Sequence, residues 1–176
     1  MAQQNSRKLA GLGAAIVALS IPAALPASAA TGGLDIDAQI LASPLAISGT
    51  QNMNFGAFTG SALGGTVLIT PAGGSVYTGV TQVPQITPTQ ALASVYGNSG
   101  VNIIVSITNP VVTVTNGTAT MQVSQFNIAT AAGGATETLN MTSTIMQIPV
   151  GATLNVGATQ PVGAYTGTFT VNAIYQ

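Results

Sequence analysis

The stretch Gly163-Ala164-Tyr165-Thr166-Gly167-Thr168-Phe169-Thr170-Val171-Asn172-Ala173-Ile174-Tyr175-Gln176 alternates between apolar and polar residues. Side chains two residues apart along a β-strand point to the same side of the sheet. The alternation therefore predicts a strand over residues 164–175 with one apolar face and one face made mostly of Thr and Asn. A chain end that docks in this way is part of the sheet. The apolar face comprises Tyr165, Gly167, Phe169, Val171, Ala173 and Tyr175.

Short β-type segments, separated by Gly, Pro, Asn and Ser, make up most of the preceding chain. Asn116-Gly117 lies between two of them and is a strong signal for a hairpin turn. About eight to ten short strands without a repeat of fixed period predict an all-β domain, a β-sandwich. The other predicted strands cover residues 34–40, 45–47, 53–58, 65–70, 101–108, 111–115, 119–128, 139–148 and 153–156.

Two segments in the middle of the chain have a weaker pattern. Residues 81–89 contain Pro84 and Pro88, which cannot donate to a sheet ladder, so this segment is predicted to be an edge strand or a loop. Residues 91–96 fit a strand or a short helix, and the strand is favoured. Gly73-Gly74 is predicted to form a turn, and residues 131–136 a loop.

The first residues show the three parts of a secretory signal in the usual order. Arg7 and Lys8 are basic, residues 9–25 form an apolar run, and Ala27-Ser28-Ala29 resembles a cleavage site. A membrane anchor is the alternative, but the run is short for a span and contains Pro22. We expect residues 1–29 to be a signal peptide, residues 30–43 an N-terminal extension, and residues 44–176 one domain.

Charged side chains are almost absent after the signal. Arg7 and Lys8 are the only basic residues, and there is no His or Cys. Three acids would remain after cleavage, giving a net charge of 0 − 3 = −3. Binding of nucleic acid or of anionic lipid surfaces needs cations, so neither partner is expected. The absence of Cys excludes disulfides, thiolate chemistry and the usual zinc clusters.

Catalytic groups are equally scarce. Acid–base catalysis needs a titratable group in a pocket, and a nucleophilic Ser or Thr needs a neighbouring base. Asp35 and Asp37 share the polar face of one alternating strand, and Glu137 lies in a loop region. A solvated face is expected for the two aspartates, with a weak calcium site as the alternative. The sequence predicts no enzyme, no catalytic or metal-binding residue, and no cofactor.

The two ends of the mature chain together resemble subunits of chaperone–usher pili. In that family the last strand has a penultimate aromatic residue, here Tyr175, and a glycine before the alternating residues, here Gly163. The resemblance implies an immunoglobulin-like sandwich that is incomplete because it lacks one strand. A periplasmic chaperone would fill the gap first, holding the carboxylate of Gln176, and the N-terminal extension of the next subunit would replace it. An outer-membrane usher is a further implied partner.

This resemblance implies a homopolymer with two sets of interface residues. It also implies secretion through the periplasm to the cell surface, without stable membrane insertion. The donor-strand set is Leu34, Ile36, Ala38 and Ile40, and the set on the C-terminal strand is Gly163, Tyr165, Phe169, Val171 and Tyr175.

A second resemblance involves Asn54-Phe55-Gly56 and the nearby Phe58. These residues are similar to those of secreted fimbrial-like proteins related to spore-coat U-type subunits. Many members of both groups carry a disulfide, so this chain would belong to a cysteine-free branch.

Other interpretations fit the same pattern. Residues 34–40 could be the first strand of a complete sandwich, which would favour a secreted binding module for carbohydrate or another surface. A small outer-membrane β-barrel also has alternating strands, but its strands need about 9–11 residues and girdles of aromatic side chains. A functional amyloid is opposed by the frequent Gly and Pro.

Overall fold

The computed structural model describes residues 38–39, 43–129 and 133–176. In these residues the chain forms twelve β-strands and no helix, so the prediction of an all-β chain is confirmed. The chain divides after Gln39 into two units. In the first unit only Ala38 and Gln39 are described, and both are exposed and outside any strand.

The strands of the second unit follow one another through short turns. They are β1 (Ala46–Gln51), β2 (Ala57–Thr59), β3 (Gly65–Ile69), β4 (Ser75–Thr78), β5 (Thr81–Val83), β6 (Ala91–Tyr96), β7 (Asn102–Ile107), β8 (Val112–Thr115), β9 (Thr120–Ile128), β10 (Thr136–Asn140), β11 (Ile145–Val156) and β12 (Val171–Tyr175).

The larger sheet has seven antiparallel strands arranged around β11. One edge of β11 pairs first with β6 and then with β3, and the other edge pairs with β9. Val150 has a partner on each side, Ala91 on β6 and Ile128 on β9, so these strands lie on opposite edges of β11. The sheet continues from β6 to β1, from β3 to β4, and from β9 to β8.

A three-stranded sheet, called the smaller sheet below, has the order β10-β7-β12 and packs on the first to form a sandwich, while β2 and β5 form a separate two-stranded sheet. Apolar side chains from alternate positions of both sheets meet between them, as expected for two packed antiparallel sheets. Met141, in the connection between β10 and β11, is also fully buried. The largest fully buried side chains are Ile69, Ile103, Ile128, Met141, Ile148, Val67, Val95, Val105 and Val150.

Three strand predictions were wrong. Residues 53–58 do not form one strand, because Asn54 makes only an isolated bridge with Thr89 and regular pairing begins at Ala57 in β2. Residues 139–148 do not form one strand, because the chain leaves the smaller sheet after Asn140 and enters the larger one at Ile145. Residues 153–156 do not form a separate strand, because β11 runs from Ile145 through Pro149 to Val156. The carbonyl of Pro149 accepts a bond from the amide of Ala129, just before the β9 ladder begins at Val150. The missing N–H of the proline therefore falls outside that ladder.

The remaining strands agree more closely with the prediction. The Asn116-Gly117 hairpin joins β8 and β9, and residues 91–96 form β6. Residues 81–89 contain the three-residue β5 followed by a loop. The C-terminal strand is shorter than predicted, since regular pairing begins only at Val171.

Candidate functional site

Residues 163–175, called the C-terminal segment below, contact both sheets. Thr166 forms an isolated antiparallel bridge with Thr115 of β8. Further along, the amide of Thr108 donates to the carbonyl of Thr170 over 3.1 Å, and β12 then pairs with β7. Since β8 belongs to the larger sheet and β7 to the smaller one, the C-terminal segment joins the two sheets along one side.

The hydroxyl group of Tyr175 connects three parts of the chain. It accepts a hydrogen bond from the amide of Asn98 over 3.0 Å and donates one to the carbonyl of Ser43 over 2.9 Å. The amide of Ser43 in turn donates to Oδ1 of Asn98 over 3.2 Å. The chain that precedes β1 is therefore held beside the end of β12.

Two glycines allow the C-terminal segment to lie close to the β8–β9 hairpin. A Cβ at Gly167 would lie 2.7 Å from the carbonyl oxygen of Thr113 and 2.9 Å from a methyl group of Val114. Gly163 has a φ of 151°, and a Cβ there would lie 2.9 Å from the amide nitrogen of the Asn116 side chain. Both positions therefore require a residue without a side chain.

Two strand edges near this segment have no ladder partner among the described residues. β12 pairs only with β7, and β1 pairs only with β6. In the C-terminal segment half-buried and exposed residues alternate as predicted, except at Gly167, which is exposed. An unpaired edge with apolar side chains is a surface on which a further strand can add. The half-buried set is Tyr165, Phe169, Val171, Ala173 and Tyr175.

A groove of about 1020 Å³ lies between the C-terminal segment and residues 47–58. Its floor is the inner face of the larger sheet, where Val150 and Leu154 are already buried. An occupant would therefore contact mainly the walls, which are half-buried. The apolar residues of the walls are Ile47, Met53, Phe55 and Phe58 on one side, and Tyr165, Phe169 and Val171 on the other.

Aromatic pairs hold both walls in place. The ring of Phe169 lies 5.1 Å from that of the buried Phe126, measured between centroids. On the opposite wall, the rings of Phe58 and Tyr77 are 6.5 Å apart. Tilted pairs at these distances are favourable.

Tyr77 also fixes the backbone of its wall. Its hydroxyl donates to the carbonyl of Phe55 over 2.9 Å. Burial raises the pKa of Tyr77, an effect that a hydrogen bond with Ser75 partly opposes. The phenol therefore remains a neutral donor at neutral pH.

The structure brings most of the predicted C-terminal residues together. Gly163, Tyr165, Phe169 and Val171 line the groove, whereas Tyr175 lies beyond it and binds Ser43 and Asn98. In the predicted donor set, Leu34, Ile36 and Ile40 lie outside the described residues, and Ala38 is exposed.

Sequence reasoning missed the opposite wall as part of the site. Residues 53–58 were predicted to be a strand, but no role was assigned to Met53 or Phe55. The signal in the sequence for this wall was the alternation of these apolar residues with Asn54. The backbone of Asn54 exchanges two hydrogen bonds with that of Thr89, each of 2.8 Å. That wall is positioned by contacts across the chain, which the local pattern does not reveal.

None of the described residues that line the groove carries a charged side chain. Glu137 is the only charged residue in the described part. It lies in β10, paired with Val105, so its predicted loop position was wrong, and its carboxylate accepts a bond from the amide of Gly134 over 2.8 Å. Asp35 and Asp37 lie outside the described residues. Among the residues that the structure describes, no group of three or more His, Cys, Asp or Glu could hold a metal ion. The same residues include no helix with the length and apolarity needed to cross a membrane.

In the described residues, fold and site together define an antiparallel β-sandwich with an uncharged, mostly apolar groove beside two strand edges that have no ladder partner there. The chain belongs to a family described as a domain of unknown function, DUF4402, whose model matches residues 45–175. No curated protein matches the chain. No solved structure matches it either.

Proposed function

We propose that this protein is a structural subunit of a bacterial surface fibre, in which the N-terminal extension of one copy inserts into the groove of the next. The groove between residues 47–58 and the C-terminal segment, beside the unpaired edges of β1 and β12, is the observation that carries this proposal. A strand in that position would bond to an open edge and cover the half-buried walls at the same time.

Residues 34–40 of a second copy have the length and pattern of a suitable occupant. Residues 34–40 and the wall from Tyr165 to Val171 are both seven residues long, and each spans about 20 Å when extended. Leu34, Ile36, Ala38 and Ile40 would point into the groove, while the acids between them would point to solvent.

The position of Ser43 favours one direction for this strand. Ser43 is held at the Tyr175 end of the sandwich, so in the proposed fibre the extension of each copy would leave from that end. A donor that runs antiparallel to the C-terminal segment would leave the groove at the Val162 end, and its own body would follow there. Copies would then join head to tail in an open chain. A donor that runs parallel to the C-terminal segment would place its own body at the Tyr175 end. The two bodies and the acceptor's own extension would then be crowded at that end.

We also propose, from the resemblance, that a periplasmic chaperone and an outer-membrane usher deliver the subunit to the cell surface. Catalysis is not part of the proposed function, since the mature chain would have three acids and no His, Lys or Cys to act as a base or a nucleophile.

Electron microscopy of material sheared from cells tests the proposal. The full chain is expressed with its neighbouring secretion genes, and we expect fibres. The variant Leu34→Asp, Ile36→Asp, Ile40→Asp should abolish them, because burying three unpaired charges is costly. The matched control, Asp35→Asn with Asp37→Asn, alters the opposite face of the same strand and should leave fibres intact.

A competition experiment separates loss of assembly from loss of folding. A synthetic peptide of residues 31–42, added to the unaltered protein during assembly, should shorten the fibres, while the peptide with the three aspartates should have no effect. Fibres that form normally from the triple-Asp variant would disprove the proposed function.

A further inference from the structure

Two apolar side chains stand almost fully in solvent at the Val162 end of the groove. Leu63 is 94% exposed and Val162 is 98% exposed. Their loops are adjacent, because the amide of Thr159 donates to the carbonyl of Ser61 over 3.0 Å and a Cβ at Gly60 would lie 3.8 Å from the carbonyl oxygen of Gln160. Large apolar side chains exposed next to one another are a frequent feature of interaction surfaces.

A second exposed apolar pair lies at the opposite end of the same unit. Tyr96 pairs directly with Ile145 across β6 and β11, and also with Ala46 at the start of β1. Tyr96 is 40% exposed and Ile145 is 54% exposed. Ile145 and Val156 are the two ends of β11, about 35 Å apart, and Val156 pairs with Gly65 beside the Leu63 loop.

The length of the connecting chain limits where the next copy can lie in the proposed fibre. Only six peptide units separate Ile40, the last inward residue of the donor strand, from Ala46, and they reach at most about 20 Å. Tyr96 of that copy lies about 5 Å from its Ala46, and Ile145 lies one strand further away. The connecting chain therefore keeps the Tyr96–Ile145 end of that copy within about 30 Å of Ile40, on the side of the groove that carries Leu63 and Val162.

We propose that Leu63 and Val162 of one copy pack against Tyr96 and Ile145 of the next, forming a second contact that fixes the orientation of successive bodies. This inference rests on the proposed donor-strand function and adds an interface outside the groove. The four side chains are uncharged, so their contact does not depend on ion pairing. Their exposure in the single chain is explained if they become covered in the fibre.

Cysteine cross-linking tests this contact directly, because the chain has no cysteine of its own. The double variant Leu63→Cys, Ile145→Cys is assembled into fibres, oxidised mildly and run on a denaturing gel without reductant. The two positions are too far apart to bridge within one copy, since a disulfide needs Cα atoms within about 7 Å. We expect a ladder of dimers, trimers and longer species. The variant Val162→Cys, Tyr96→Cys provides a second test of the same contact.

The control variant is Leu63→Cys, Val111→Cys, since Val111 is 53% exposed but lies in the connection between β7 and β8. This control should remain monomeric on the gel. Fibres that form from both test variants but give no ladder would overturn the proposed contact and leave the donor-strand function standing. Fibres that persist in the triple-Asp variant would overturn the donor-strand function instead.

Discussion

At the scale of single residues, the Tyr175 hydroxyl holds the start of the sandwich against its last strand. The group bonds to Ser43 and Asn98, which are far from it in sequence. The same contact places Ser43 at the Tyr175 end of the sandwich. The aromatic residue that the pilus resemblance singled out therefore has a defined bonding role, although it lies beyond the groove.

Tyr175→Phe should lower the free energy of unfolding by about 1–2 kcal/mol, because it removes one hydrogen bond donated and one accepted. Urea unfolding followed by fluorescence or circular dichroism measures this change. Tyr96→Phe is the matched control, since its side chain lies on the outer face and should change stability by less than about 0.5 kcal/mol. Equal effects of the two substitutions would contradict the role given to Tyr175.

At the scale of the strand, β11 organises the larger sheet, since it pairs with β6, β3 and β9. Ile148 points into the core and is 1% exposed, whereas Ile145, three residues earlier, faces outward. Both residues are isoleucines in one strand, so they have the same strand propensity and differ in burial.

Ile148→Ala should destabilise the protein by about 2–5 kcal/mol, through lost burial and the cavity that remains. Ile145→Ala, the same chemical change on the same strand, should cost less than about 1 kcal/mol. Thermal and urea unfolding of the two variants provide the comparison. A similar loss in both would mean that β11 is not buried on the face assigned to it.

The sequence predicts an element well when the signals that form it are local, and poorly when the element depends on pairing between distant parts of the chain. β3 and β6 were predicted almost to the residue, because alternation and flanking turns are local signals. Residues 139–148 were wrongly predicted to be one strand, because Met141 continues the alternation of Leu139. In the structure the backbone of Met141 bonds to Val101 and Gly100, where the chain crosses between the sheets. The groove depends on pairings such as Thr115 with Thr166, for which no local pattern exists.

At the scale of the whole molecule, the shortage of titratable groups determines the response to pH. With no His and no Cys, no side chain has an ordinary pKa between about 6 and 8. The fold therefore depends on apolar burial and backbone pairing, and its stability should be nearly constant over this range.

Above pH 10 we expect a loss of stability that originates at Tyr77. Burial raises the pKa of Tyr77, so this phenol ionises first in the unfolded chain, which then binds fewer protons than the folded one. The free energy of unfolding consequently falls as pH rises from about 10 through the folded-state pKa. Urea unfolding at pH 7, 9 and 11 should show this fall, and it should be smaller in Tyr77→Phe. An equally steep fall in Tyr77→Phe would show that the loss of stability does not originate at Tyr77.

The attachment of the C-terminal segment to both sheets has a mechanical consequence. In a fibre built as proposed, a pull along the fibre would be transmitted through the strand held beside this segment. Because the donor would lie along the direction of pull, its hydrogen bonds would be loaded together in shear rather than broken one at a time. The bonds of the segment to β8 and to β7 would pass that load into both layers of the sandwich, so that neither layer would be peeled from the other.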